Sequence, residues 1–221
     1  MENVLSGKVV ILGDQGVGKT SLILRYLEKE FDRHISPTIG ASYFSCSVAI
    51  KNVIVKLQVW DTAGQERFKA MTPMFYRNAN IAFLAFDITR PETFQNIQNW
   101  VTELNGNIHT HVIMIIIGNK SDLSNDRKVP REEAIRYSNG IGATYYECSS
   151  LKNLGVDRIF ESAAIKLLKH LDPYFNNYID CENSIDAPSC SLSATDVGNV
   201  VVLGRSKDNI AHGTTVSNKC C

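Results

Sequence analysis

Residues 9–21 read VVILGDQGVGKTS, an apolar run of strand length, a loop punctuated by three glycines, and a lysine–threonine pair opening a helix. The fixed positions of the pattern G-x-x-x-x-G-K-[ST] fall at Gly13, Gly18, Lys19 and Thr20. Glycines at 13, 16 and 18 let the backbone curl so that successive N–H groups face inward, and the helix start adds the positive end of its dipole. Asp14, Gln15, Gly16, Val17, Gly18 and Ser21 complete a cradle for the phosphates of a nucleoside triphosphate. In it Lys19 reaches the terminal phosphates and the Thr20 hydroxyl binds Mg²⁺. A glycine-rich turn with no ligand is the competing reading. All four fixed positions in the required strand-to-helix context weigh against it, but they do not say which base is bound.

Such a loop needs a strand feeding a helix, and the rest of the chain repeats that order. Strand-length apolar runs at 8–14, 43–50, 53–60, 81–87, 112–118 and 143–148 are interleaved with helix-period segments at 20–29, 93–104, 129–138 and 156–171. The second and third strands are separated only by Lys51-Asn52, which predicts a hairpin. Alternating β and α units predict an α/β domain, a mostly parallel six-stranded sheet with helices on both faces. Ligands then sit at the carboxyl ends of the strands, and the unusual residues follow Leu12, Trp60, Gly118 and Cys148.

The two parts of the chain differ in kind. Residues 1–171 carry the periodic pattern, whereas 172–221 are rich in Asn, Ser, Asp and Gly with no sustained period and read as a flexible tail. That tail has three Lys/Arg against six Asp/Glu, net −3, although the whole chain sums to zero. Zero net charge argues against nucleic acid as a partner. No secretory signal leads the chain, and the longest aliphatic run, Val112 to Ile117, is far below the roughly 20 residues of a membrane span. The six cysteines form no C-x-x-C pair, so neither a disulfide framework nor a zinc site is suggested. Reducing cytosol is the expected setting, with Cys46 and Cys148 as buried apolar residues.

Two further strings carry chemistry. In LQVWDTAGQERF, Asp61 follows an apolar strand where a magnesium-side carboxylate belongs. Gly64 lets backbone approach the terminal phosphate, and Gln65 is a neutral amide able to orient an attacking water. In IIIGNKSD, Asn119 and Asp122 present an amide and a carboxylate on one short loop. A carboxylate accepts hydrogen bonds from the two adjacent N–H groups that guanine offers and adenine does not. The aliphatic stem of Lys120 can lie against a base face.

GDQGVGKTS, SPTIG, WDTAGQERF, NKSD and ECSS, in this order and spacing, resemble the Ras superfamily of small GTPases over residues 7–171. WDTAGQERF together with the terminal KCC is similar to its Rab branch, regulators of vesicle traffic. The resemblance implies a P-loop GTPase domain that hydrolyses GTP to GDP, with Gln65, Lys19 and Thr38 as catalytic residues. It implies Mg²⁺ held by Thr20 and Thr38 directly and by Asp61 through water. Phe31 would edge onto the guanine, and Ser149, Ser150 and Leu151 would form the last base-binding motif, with the Ser150 N–H on the guanine oxygen. Leu151 stands where some relatives have lysine. Tyr43, Trp60 and Phe75 match an aromatic triad read by effectors, with core packing as the alternative. Geranylgeranyl groups on Cys220 and Cys221 would anchor a monomer to the cytoplasmic face of a vesicle or endosome. An exchange factor, a GTPase-activating protein, a prenylation escort and a GDP-dissociation inhibitor would be its partners. Apolar Val200 to Leu203 is a candidate dock for the last two, or a chance cluster.

Gln15 stands where Ras-like proteins carry glycine, and its bulk crowds the space beside Gln65. It puts the hydrolysis rate in doubt rather than binding, and leaves open a GTP-loaded membrane scaffold with very weak turnover. No arginine is placed by sequence alone to assist hydrolysis in cis. A phosphate-loop kinase or ATPase is disfavoured by the guanine-type loop.

Overall fold

The computed structural model describes residues 3–29, 36–38, 40–64, 72–108 and 110–171. Six strands, β1 (Asn3–Leu12), β2 (Ala41–Ile50), β3 (Val53–Thr62), β4 (Ile81–Asp87), β5 (Ile113–Asn119) and β6 (Thr144–Glu147), form one sheet in the order β2-β3-β1-β4-β5-β6. Only β2–β3 is antiparallel; every other pair runs parallel. The helices are α1 (Lys19–Glu28), α2 (Thr72–Tyr76), α3 (Pro91–Gln95), α4 (Ile97–Asn107), α5 (Arg131–Gly140) and α6 (Val156–Leu171). This is the α/β architecture expected from the alternation of apolar runs.

Strand periodicity divides the core in two. In β1, Val9 and Ile11 enter a cluster with Ile23 of α1 and Phe160 and Leu167 of α6. Their neighbours Val10 and Leu12 point to the opposite face, against Trp100 and Leu104 of α4 and Ala134 of α5. All four β1 side chains are fully buried, each worth about 1.5–3 kcal/mol over the exposed state. Every residue of β4 is buried as well, which is why its sequence shows no alternation.

Three boundaries differ from expectation. β1 starts at Asn3, not residue 8, because Asn3 to Lys8 pair with β3 alone; β4 joins on the other side only from Val9. Half-covered residues there lack the continuous apolar signature. The helix predicted near 93–104 begins at Pro91 and is interrupted at Asn96. The backbone of Asn96 stays in the α region (φ −68°, ψ −15°), so α3 and α4 are near-continuous. The five-residue α2 has no sequence period to announce it, and Tyr76 anchors it, buried and 3.3 Å from Glu103 Oε1.

Candidate functional site

Two cavities open where the loops leave the carboxyl ends of β1, β3, β5 and β6. One, of 210 Å³, is lined by the phosphate-loop residues Gln15, Gly16, Gly18, Lys19 and Thr20, and by Ser36, Pro37, Thr38 and Gly64. The other, of 410 Å³, is lined by Asn119, Lys120, Asp122, Leu123, Ser150 and Leu151. Gly18 and Ser21 line both, so the two rooms share a wall.

The first room is built for charge. Lys19 is buried, and its Nζ donates to the carbonyls of Gly13 (2.7 Å) and Asp14 (3.0 Å). Burial pushes its ammonium down to about 8, against the pull of Asp61 and Asp14. Thr20 Oγ1 lies 2.7 Å from Thr38 Oγ1 and donates to Asp61 Oδ2 at 2.6 Å; Thr38 Oγ1 reaches the same oxygen at 3.3 Å. Asp61 is fully buried, and burial pushes its carboxyl up to about 6, while Thr20, the Lys19 charge and Thr38 hold it back. Its other oxygen, Oδ1, is buried without a hydrogen-bond partner. Two hydroxyls and one carboxylate, one of whose oxygens is unpartnered, make a hard-oxygen set, the chemistry of a small divalent cation that keeps positions for phosphate and water. Among the described residues there is no cluster of three His, Cys, Asp or Glu, so the set draws on hydroxyls.

Gly64 closes this room. A Cβ there would stand 2.5 Å from Asp14 C, Gln15 N and Lys19 Nζ, so backbone after β3 touches the phosphate loop only because the residue has no side chain. Gly18, at the head of α1, has φ +92°, and a Cβ on it would meet Asn119 Nδ2 at 2.5 Å. Val17 is buried and offers only its backbone.

In the second room Asn119 turns inward. Its Nδ2 donates to Val17 O at 2.9 Å, and its Oδ1 accepts from Lys120 N (2.8 Å), Ser150 N (3.3 Å) and Ser150 Oγ (3.2 Å). The side chain expected to face a base thus ties the phosphate loop to both loops of this cavity. The Ser150 N–H, expected on the guanine oxygen, is turned to Asn119. Asp122 lines the cavity and accepts a short hydrogen bond from Ser149 Oγ. Lys120, in a left-handed conformation (φ 66°), anchors its Nζ on Asp87 Oδ2 at 2.6 Å, stretching its stem along the cavity.

The Ras family model matches residues 8–169. Ras-related protein Rab-31 of Rattus norvegicus and of Homo sapiens are each 41% identical over 169 residues, covering 76% of this chain and 86% of theirs. Ras-related protein Rab-22A of Mus musculus is 42% identical over 153 residues, 69% of this chain and 79% of its own. The chain belongs to the Ras family, in its Rab branch. It is therefore a small GTPase of vesicle traffic that binds GTP and GDP and hydrolyses GTP.

In this Rab GTPase the aromatic residues Tyr43, Trp60 and Phe75 form a continuous row, with ring centroids 5.4 and 6.0 Å apart. All three are half-buried, and Lys8 Nζ lies 5.2 Å from the Trp60 ring. Gln65, Phe31, Cys220, Cys221 and the Val200–Leu203 stretch lie outside the described residues.

Several functional positions had no motif to mark them. Arg25, buried in α1, donates through Nε to Ser150 O (2.7 Å) and through Nη2 to Leu151 O (3.0 Å). Its only signal is a cation three residues beyond Leu22 on an apolar face. Asp87 holds Lys120 and also accepts from Thr89 N (2.9 Å) and Thr89 Oγ1 (2.7 Å). Burial pushes its carboxyl up, but these partners outweigh it and the net shift is downward. An acid ending a buried strand, as at Asp61, was the available clue.

Proposed function

We propose that this Rab GTPase binds GTP with Mg²⁺ across the two cavities and hydrolyses it slowly, the two nucleotide states selecting different partners. The observation that carries the reading is the Thr20–Thr38–Asp61 oxygen cluster, with one buried carboxylate oxygen unpartnered, beside Lys19. Thr20, Thr38 and Asp61 would hold Mg²⁺, which when bound neutralises phosphate charge. Lys19 and the N–H groups of residues 14–20 take the phosphates. Gln65 orients the attacking water, Asp122 accepts the guanine N–H groups, and Lys120 lies along the base, with Phe31, Ser149, Ser150 and Leu151 around it. Turnover without a helper is on the order of 10⁻⁴ s⁻¹ in this class, and a partner's arginine adds about 10⁵-fold. Thr38 and Gly64 both line the phosphate cavity, so the terminal phosphate draws the segments that carry them together.

The exposed edge of the Tyr43–Trp60–Phe75 row is the proposed effector surface. Cys220 and Cys221 carry two prenyl groups, delivered with an escort and retrieved by a GDP-dissociation inhibitor. Two lipids give stable anchoring where one gives only marginal attachment. The proposed location is the cytoplasmic face of an endosome or vesicle. The silent-scaffold reading has no observation in its favour: Gln15 is exposed at the cavity rim rather than filling it.

The test is to purify the chain gently from cells, release its nucleotide by heat and identify it by chromatography. Near-equimolar GDP, released faster on chelation of Mg²⁺, is expected. Adenine nucleotide overturns the base assignment, predominant GTP revives the scaffold, and indifference to chelation overturns the metal assignment.

A further inference from the structure

The phosphate loop is gripped from outside as well as from within. Arg90, in the loop between β4 and α3, donates from Nη1 to the carbonyl of Gln15 at 3.3 Å. Its guanidinium is fixed from the other side by Glu92, Nε to Oε1 at 2.8 Å. A Cβ on Gly16 would stand 3.6 Å from the same Nη1, so the cation lies over the Gln15–Gly16 peptide. A second tether lands one residue earlier: Asn96 Nδ2 donates to Asp14 Oδ2 at 2.7 Å. Asn96 is the joint between α3 and α4, and the joint is what carries its amide to the loop.

The peptide linking Gln15 to Gly16 is planar and trans. Its C=O and the N–H of Gly16 therefore point in opposite directions. Pinning the carbonyl outward on Arg90 turns the N–H of Gly16 away from Arg90 and toward the phosphate cavity that both residues line. A cation on the carbonyl also polarises the amide and makes that N–H a stronger donor. Charge that develops on phosphate oxygens during transfer is stabilised by donors already aimed at it.

We propose that Arg90 is a positioning residue for GTP hydrolysis and nucleotide retention, acting through the Gln15–Gly16 peptide, with Asn96 fixing the Asp14 end of the same loop. This role rests on the phosphate cradle of the proposed function. It gives the chain an arginine in cis that touches the loop and not the substrate.

The test uses the full-length protein loaded with GDP and Mg²⁺. Release of a fluorescent GDP analogue, single-turnover GTP hydrolysis and the ³¹P spectrum of bound GDP are compared for Arg90→Ala, Arg90→Lys, Asn96→Ala and Asn96→Asp. Arg90 is 42% exposed, so its replacement spares the fold. Arg90→Ala should release GDP about three- to tenfold faster and slow hydrolysis by a similar factor, as expected for one charge-assisted hydrogen bond at a solvated rim. Arg90→Lys should recover most of both rates, and the ³¹P resonances should move in Arg90→Ala while its far-UV circular dichroism stays that of the wild type. Asn96→Asp, which sets a carboxylate against Asp14, should release GDP faster than Asn96→Ala; adding Asp14→Asn, which reverses donor and acceptor, should restore retention. If the wild type retains and hydrolyses nucleotide while Arg90→Ala and Asn96→Asp stay within twofold in both rates, the positioning role is wrong. If the wild type retains no guanine nucleotide at all, the cradle itself falls, and this role with it.

Discussion

Replacing Asn119 by alanine tests how the two cavities are held together. The side chain is 2% exposed and makes two short hydrogen bonds, to Val17 O at 2.9 Å and from Lys120 N at 2.8 Å. Two longer ones come from Ser150 at 3.3 and 3.2 Å. Alanine leaves Val17 C=O buried without its partner, at about 1–3 kcal/mol, and removes the acceptor of the half-buried Lys120 N–H at a smaller cost, about 2–4 kcal/mol in all. The bonds join the phosphate loop to the base loop, so much of that loss falls on the ligand that spans both. A share of about 2.8 kcal/mol corresponds to a hundredfold in affinity. Asn119→Ala should therefore release GDP about a hundredfold faster, measured by displacement of a fluorescent analogue, and its melting temperature should depend steeply on added GDP. A variant that melts lower but releases GDP within threefold of the wild type would show that Asn119 supports the fold alone. The coupling argument would then be refuted.

Gly64→Ala should weaken GTP more than GDP, because the added Cβ, 2.5 Å from Gln15 N and Lys19 Nζ, meets backbone that a terminal phosphate must draw closer; equal loss for both nucleotides in a competition assay would contradict this. Glu147 is pushed up by burial but pulled further down by Arg127 (2.9 Å at both oxygens) and the Tyr145 hydroxyl (2.6 Å), leaving its carboxyl below the ordinary value of 4.5. A folded-state value below the unfolded one means its stabilisation is complete above about 4.5 and fades as pH falls through the lowered value. Glu147→Gln should flatten the acid limb of the melting-temperature profile, and an unchanged limb would rule the pair out as its source.

The phosphate loop, the β2–β3 hairpin and the strand order of chemistry-bearing loops were legible because each is written in neighbouring residues. Gly13 to Thr20 specify one local geometry, and the all-buried β4, with the buried run Ile115–Asn119 of β5, announces a sheet covered on both faces. What could not be read acts over distance. Arg25 reaches a carbonyl 125 positions away, Arg90 one 75 away and Asn96 a carboxylate 82 away. Before the fold exists, each looks like an ordinary polar residue of a helix or loop. Asn119 was legible as a functional residue but not in its direction, since an amide serves equally well facing a base or a neighbouring loop.

The same geometry ranks the ways the site can open. Gly18 and Ser21 belong to both cavities, and Asn119 and Arg25 tie the phosphate loop and α1 to the base loops with buried or half-buried bonds. Separating the rooms would break all of these together. The oxygen cluster is different: Thr20 sits on α1 and holds Asp61 at 2.6 Å, whereas Thr38 holds the same oxygen at 3.3 Å. Thr38 is attached to the cluster through a single hydroxyl, 2.7 Å from Thr20 Oγ1 and 3.3 Å from Asp61 Oδ2, and losing it leaves the Thr20–Asp61 bond and the shared wall intact. A nucleotide exit that starts at Thr38 needs no rearrangement of the base cavity. A partner that speeds exchange therefore gains most by gripping the segment that carries Thr38, rather than by prying at the base loop, which Asn119 and Arg25 each hold with more than one bond.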